Sequence, residues 1–427
     1  MPRAATTSID PSFVFWLSFA QLIGWGSVFY GFSLFMAPVE AALGLTRAAS
    51  SLAFSLALLM EGLAAFAVGR WIDRGHERRV MTGGSLLVGL AFVAHAWIDR
   101  PWQFYAVWSA LGLGLSATLY PPAFAVLTRR FPNDFRRAII QLTFLGGLAS
   151  TVFIPLVAWL MDALGWRDAL LVLGAMHLLL CAPLHHYLLR DAPTLRRTHG
   201  TTHEAQEAHD VHNAHGAHGA QATREMHDEQ AGHTSSLRVH LRAPTFWLLA
   251  AFVILLMAVT AALPAHLVSL LRESGLAERW VLAIPAAVGV LQVVGRSLLY
   301  LLERHIDVHR VNRWVPCLIP LGFAVLWLAG THGLGVLLFV LLFGMGNGMF
   351  TIVKGTVVAQ YISQHHVGSL NGVIGLPMAL ARAAAPWVMG LMWQPAGGYA
   401  NGLLLMTVLA GVGVAMLWRV QTQVLAH

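Results

Sequence analysis

Glu61, Lys354, Arg382 and Arg296 stand inside long apolar stretches of this 427-residue chain, as does Gln292, one helical turn before Arg296. A charged group at membrane depth costs from roughly 3 kcal/mol upward, so each asks for a partner or a function. A carboxylate holds its proton more tightly in apolar surroundings than beside a cation, which makes Glu61 a candidate for reversible proton uptake. Guanidinium and ammonium groups in the same setting attract an anion, the chemistry open to Arg382, Lys354 and Arg296. Gln21, Tyr30, Tyr120, His266 and Asn347 are uncharged candidates that either hydrogen-bond a solute or hold helices together. A separate chemistry belongs to His209, His212, His215 and His218, which recur at every third position. That spacing lines imidazoles along one edge of a polyproline II strand, giving weak capture of a divalent ion such as Zn²⁺, Ni²⁺, Cu²⁺ or Co²⁺. A low-complexity spacer with incidental metal affinity is the competing reading. No other cofactor is expected.

The elements that must position these residues are apolar runs of about 20 residues, the length at which a helix rising ~1.5 Å per residue crosses a hydrocarbon layer of ~30 Å. Twelve are legible: 13–36, 48–69, 80–98, 102–127, 138–161, 168–189, 245–271, 281–302, 312–330, 334–358, 366–392 and 398–420. Composition agrees, with 57% hydrophobic and 11% charged residues against about a quarter charged in a soluble domain. Prolines inside the runs (Pro155, Pro264, Pro285, Pro377, Pro386) are tolerated in membrane helices, where neighbours satisfy the freed backbone groups. Trp97, Trp102, Trp166, Trp314 and Trp393 lie near run ends, as an interfacial belt places them. The fold class is therefore an all-α membrane protein.

Six runs lie in 1–189 and six in 243–427, separated by a polar, histidine-rich segment, 190–242, that reads as a disordered linker. One offset separates both Pro38 from Pro264 and Gly69-Arg70 from Gly295-Arg296, as expected of a duplicated half. Arginines concentrate after the second and fourth runs (Arg70, Arg74, Arg78, Arg79; Arg129, Arg130, Arg136, Arg137), which puts both termini in the cytoplasm of a cell-membrane protein, the inner membrane where there are two. The first run is too long for a secretory signal and leads straight into further spans. Cys181 and Cys317 sit in apolar runs and imply no disulfide framework. The formal charge of +7 suits an anionic lipid leaflet better than nucleic acid.

The segment Gly69-Arg70-Trp71-Ile72-Asp73-Arg74-Gly75-His76-Glu77-Arg78-Arg79 resembles the signature loop of the major facilitator superfamily: a Gly, an Asp-Arg pair, then a Gly and a basic pair. Leu164-Gly165-Trp166-Arg167 is similar to the turn before the sixth helix of many members. Gly75 follows Arg74 directly, and Leu299 stands where a second-half copy would have Asp. The resemblance implies two pseudo-symmetric six-helix bundles, with helices two and eleven facing each other across the seam and helices one, four, seven and ten lining a central cavity. Glu61 and Arg382 would then meet, and making and breaking that contact would change proton affinity. It also implies that Gly69, Asp73, Arg74, Arg78 and Arg79 form a conformational latch, Asp73 accepting from a helix N-terminus and pairing with arginines while that end is closed. Within the superfamily, Gln292 through Arg296 resembles the eighth helix of monocarboxylate transporters and oxalate/formate-type relatives, where an Asp occupies the position of Gln292. Gly24 through Phe32 resembles the same branch and the trivalent-metalloid exporters.

No Gly-x-x-x-x-Gly-Lys-Ser/Thr run supports an ATP-driven pump, and no His-Glu-x-x-His or Gly-x-Ser-x-Gly pattern supports membrane-embedded catalysis. The expected function is non-enzymatic: alternating-access transport of a small solute, favoured as a small organic anion or metabolite, with a proton as coupling ion and a monomer in the lipid bilayer. Efflux of a toxic metal, metalloid or drug is the alternative reading, and a non-transporting membrane sensor a third.

Overall fold

The computed structural model describes residues 9–132, 134–190, 239–302, 306–330, 332–363 and 366–425. His209, His212, His215 and His218, with most of the 190–242 segment, lie outside the described residues. Among the described residues, twelve helices are long and apolar enough to cross a membrane: α1 Pro11–Leu43, α2 Arg47–Asp73, α3 Glu77–Ala96, α4 Pro101–Arg130, α5 Arg137–Leu164, α6 Trp166–Leu188, α7 Pro244–Glu273, α8 Glu278–Leu301, α9 Val308–Ala329, α10 Gly333–Tyr361, α11 Ser369–Leu391 and α12 Ala400–Val424.

Local chemistry sets the ends. Asp10 caps α1, its carboxylate accepting from the Ser12 and Phe13 backbone N–H groups at 2.9 and 3.3 Å, with Pro11 in the first turn where its missing N–H costs nothing. Thr46 caps α2 through the Ala49 N–H at 3.2 Å. The apolar run ends at 36, yet α1 continues to Leu43. Pro38 is absorbed within the helix, and Gly44, at φ +65°, supplies the left-handed stop. Two helices depart from regular geometry near the centre. In α4 the turn breaks at Leu119 because Pro121 and Pro122 remove two donors and exclude the helical conformation just before them. In α1 a π-helical turn spans Trp25–Tyr30, and it meets a second one in α6, His177–Cys181, through the Ser27 Oγ to His177 Nε2 hydrogen bond of 2.8 Å.

Helices α1–α6 pack on one another, as do α7–α12, and the two bundles meet where α2 crosses α11, α5 crosses α8 and α1 crosses α7. The α2/α11 crossing is uneven along its length. Towards the Arg47 end it is tight: a Cβ on Gly390 would stand 2.2 Å from Ser51 Oγ, a Cβ on Gly62 would stand 2.6 Å from that of Ala379, and the Trp387 backbone N–H donates to Ser55 Oγ at 3.1 Å. Towards the arginine-rich end Gly69, Gly372 and Gly375 have nothing within 4 Å of the same position. The seam is closed at one face and splayed at the other.

Candidate functional site

Gln292 and Arg296 lie one turn apart on α8 and share the face that looks into the seam. Arg296 is 8% exposed. Its Nη1 donates to the Thr143 carbonyl of α5 at 2.8 Å and its Nε to the Gly348 carbonyl of α10 at 3.3 Å. No carboxylate lies within 4 Å of it among the described residues. Glycines make its room: a Cβ on Gly147 would stand 3.2 Å from Arg296 Nη1, and one on Gly146 2.5 Å from the Tyr120 hydroxyl. Tyr120, turned inward at the α4 break, comes within side-chain range of Arg296, and Tyr30 on the α1 π-turn within range of Gln292. Tyr30, Gln292 and Asn347 line one small hollow with Ser33 of α1. The structure thus gathers Arg296, Gln292, Tyr30, Tyr120 and Asn347 about the centre of the molecule.

A second group sits on the α2/α11 crossing. Arg382 Nη2 is 3.6 Å from Glu61 Oε2, a buried oxygen that accepts no hydrogen bond. Lys354 of α10 is close enough to interact electrostatically with both. This pair lies where the closed part of the seam gives way to the splayed part, next to Gly62. Of Glu61, Lys354, Arg382 and Arg296, three are cations and one is a carboxylate, which makes their part of the seam electropositive.

Gln21 and His266 take the second of the two roles open to them and hold helices together. Gln21 is fully buried and donates Nε2 to the Thr118 carbonyl at 2.6 Å, satisfying an acceptor at the α4 break instead of facing a cavity. His266, also fully buried, belongs to a polar network that closes the Arg47 end of the seam. Arg47 reaches Glu40 at 3.2 Å, Glu273 at 2.9 Å and the Tyr399 hydroxyl at 3.0 Å, so one guanidinium ties the first bundle to two elements of the second. Pro386 O can only accept, so His266 Nε2, 2.8 Å away, carries the proton, leaving Nδ1 to accept from the Tyr399 hydroxyl at 3.1 Å. Burial pushes the Tyr399 phenol well above its ordinary pKa, which keeps it a neutral donor and acceptor in this chain. Trp393 stacks on Arg47 at 5.4 Å and donates its indole N–H to Glu273 at 2.8 Å.

At the arginine-rich face the loop anchor differs from the expected latch. Asp73 is exposed and forms no ion pair among the described residues, and Gly69 stands open. The buried carboxylate is Glu77, 0% exposed, held by Arg130 at 2.9 Å and Arg129 at 3.4 Å. Arg78 bonds His186 of α6, while Arg74 and Arg79 are exposed. Asp73 was expected to pair only while this end is closed, and the splayed seam leaves it without a partner. Glu77 sat inside the quoted loop, but a Glu among arginines in a polar stretch gives no sign that it is the buried one. Arg47, Tyr399 and the Ser27–His177 contact also escape sequence reading, because each depends on helices far apart in the chain.

A sequence profile of the Major Facilitator Superfamily matches residues 14–386. An uncharacterized MFS-type transporter, YcxA, of Bacillus subtilis (strain 168) is 24% identical over 182 residues, 42% of this chain and 45% of that protein. Human monocarboxylate transporter 11 is 34% identical over 139 residues, 30% of this chain and 28% of that protein. The chain therefore spans less than half the length of these curated relatives. Among solved structures, a bacterial homolog of the human lysosomal transporter Spinster, in an inward-facing and unoccupied conformation, superimposes with a TM-score of 0.70 at 14% identity, covering 98% of this chain and 99% of that one. The peptide transporter POT in complex with sulfate gives 0.67 at 14% identity over 99% and 96%.

Proposed function

The chain belongs to the Major Facilitator Superfamily, a family of transmembrane transporters, and on that premise we propose that it carries a small organic anion bearing a carboxylate, by alternating access and linked to proton movement. The observation that carries the reading is Arg296: a buried guanidinium held by two backbone carbonyls, facing Tyr120, with no carboxylate among the described residues within 4 Å to neutralise it. A planar cation with spare donors beside a phenol matches a carboxylate in charge and geometry. Lys354 and Arg382 add to an attractive field along the route in, and the same field opposes a metal cation as cargo. The likeness of one stretch to monocarboxylate transporter 11 supports the same class. The test is binding and proteoliposome uptake with lactate, oxalate, arsenite, Ni²⁺ and Co²⁺: carboxylates stabilise the folded protein and are taken up, and a response to the metal ions without one to the carboxylates overturns the reading.

The arginine-rich face is taken as cytoplasmic by its charge, so this conformation opens inward and the Arg47 network is the outer seal. Arg47→Ala leaves Glu40 and Glu273 facing each other without their shared cation. Breaking such a partly buried group shifts the equilibrium towards outward opening by ~1–3 kcal/mol, about five-fold to a hundred-fold in population. A cysteine placed at Ser33, which lines the central hollow, is then labelled faster by a reagent confined to the outside. Unaltered labelling would show that the seal rests on the glycine contacts alone.

A further inference from the structure

We infer that the transported anion carries an aromatic ring as well as a carboxylate, with the ring lying against Trp25 and Tyr120 while the carboxylate meets Arg296; the inference rests on the carboxylate reading above. Rings of the first bundle that are linked through Phe29 differ in exposure from one end of the network to the other. Phe32, Phe54, Phe104 and Trp108 are sealed, each at most 1% exposed, and serve as core. Trp25, Tyr30, Tyr120 and Phe124 keep part of their surface open although they stand deep in the bundle. Their geometry makes a wall: Trp25 and Tyr120 centroids are 5.0 Å apart at 44°, and Tyr120 stacks on Phe124 at 5.3 Å and 11°.

The wall continues along one face of α4, where Pro121 and Thr128 are exposed and Phe124 lies between them. Three features of the backbone hold it there. The break at Leu119 turns Tyr120 inward, the missing Cβ of Gly146 admits its hydroxyl, and the π-turn of α1 carries Trp25 across to it. The Tyr120 hydroxyl end is the end near Arg296. A ring stacked on Tyr120 and Trp25 therefore points a ring-bound carboxylate at the guanidinium, and edge-to-face or offset contacts with those rings add affinity that an aliphatic acid does not gain. The Trp25 indole N–H is buried and makes no hydrogen bond among the described residues. A short aliphatic anion needs the arginine but none of the wall.

The experiment is equilibrium binding to the intact chain in detergent and counterflow in proteoliposomes, with benzoate and phenylacetate compared against propionate and lactate. The ring acids are expected to bind about ten-fold more tightly. Trp25→Leu collapses that ratio towards unity, and Trp25→Phe, which keeps a ring in a similar volume, restores much of it. Equal affinity of the wild-type chain for ring and aliphatic acids, both lost in Arg296→Gln, overturns this inference and leaves the carboxylate reading standing. A ring preference that survives in a folded Trp25→Leu variant overturns the placement of the ring. Binding of all four acids unaffected by Arg296→Gln overturns the carboxylate reading itself.

Discussion

Arg296→Gln is expected to lower carboxylate binding and uptake by about 10²–10³-fold, because removing one partner of a buried charged contact costs ~3–4 kcal/mol at ~1.4 kcal/mol per ten-fold. The side chain is 8% exposed, so little solvent screening reduces that figure. Its contribution to folding is smaller: two hydrogen bonds to the Thr143 and Gly348 carbonyls, one of them long at 3.3 Å, both open to replacement by a glutamine amide or water. The variant therefore stays folded, and the comparison is clean when read as loss of ligand-induced stabilisation at unchanged melting temperature without ligand. Arg296→Lys keeps the charge but loses the planar fork, so it falls between the two. A glutamine variant that binds as the wild type does would remove the site from the centre of the molecule.

The same arginine illustrates how far the sequence reaches. Twelve apolar runs, their prolines and the signature loop define the fold, since a helix crossing lipid must satisfy its backbone internally and its length is set by the bilayer. Pro38 and Pro264, spaced as a duplication would place them, both fall inside helices of corresponding bundles. The other pair at that spacing has diverged: Arg70 lies exposed over Phe66 at 5.6 Å, whereas Arg296 is buried in the seam. Residue type and offset are identical in the two cases. What separates them is the pair of glycines at 146 and 147 on another helix, which opens space for one guanidinium and has no bearing on the other. Gln21 and His266, left open between solute contact and helix glue, show the second in this structure, since a polar side chain in an apolar run reads alike whether it meets a broken helix, a seal or a solute. The Arg47 network joins positions more than 200 residues apart in the chain, so no local pattern marks it.

Glu61 joins the seal to the cavity, and Glu61→Gln is expected to abolish stimulation of transport by a pH gradient while leaving solute exchange at zero gradient. The carboxylate stands at the point where α2 and α11 part, with one oxygen buried and unbonded and Arg382 at 3.6 Å, longer than a hydrogen bond. A proton on Glu61 removes the charge that draws Arg382 across the seam, and Arg382 and Lys354 then face each other with less to offset their repulsion. On the proposed reading, occupation by an anionic solute would supply that offset, so solute and proton would favour the same rearrangement and the expected coupling would follow from shared electrostatics. Neutral glutamine fixes the protonated condition at every pH. Breaking a fully buried pair costs ~3–5 kcal/mol, and the 17% exposure of the Arg382 side chain puts this one at the lower end. Exchanging the two residues, Glu61→Arg with Arg382→Glu, separates charge from position: coupling restored in the double variant and absent from each single one marks the pair as the proton-sensing contact. Proton dependence that persists in Glu61→Gln assigns the coupling to another group and leaves this pair a static bridge.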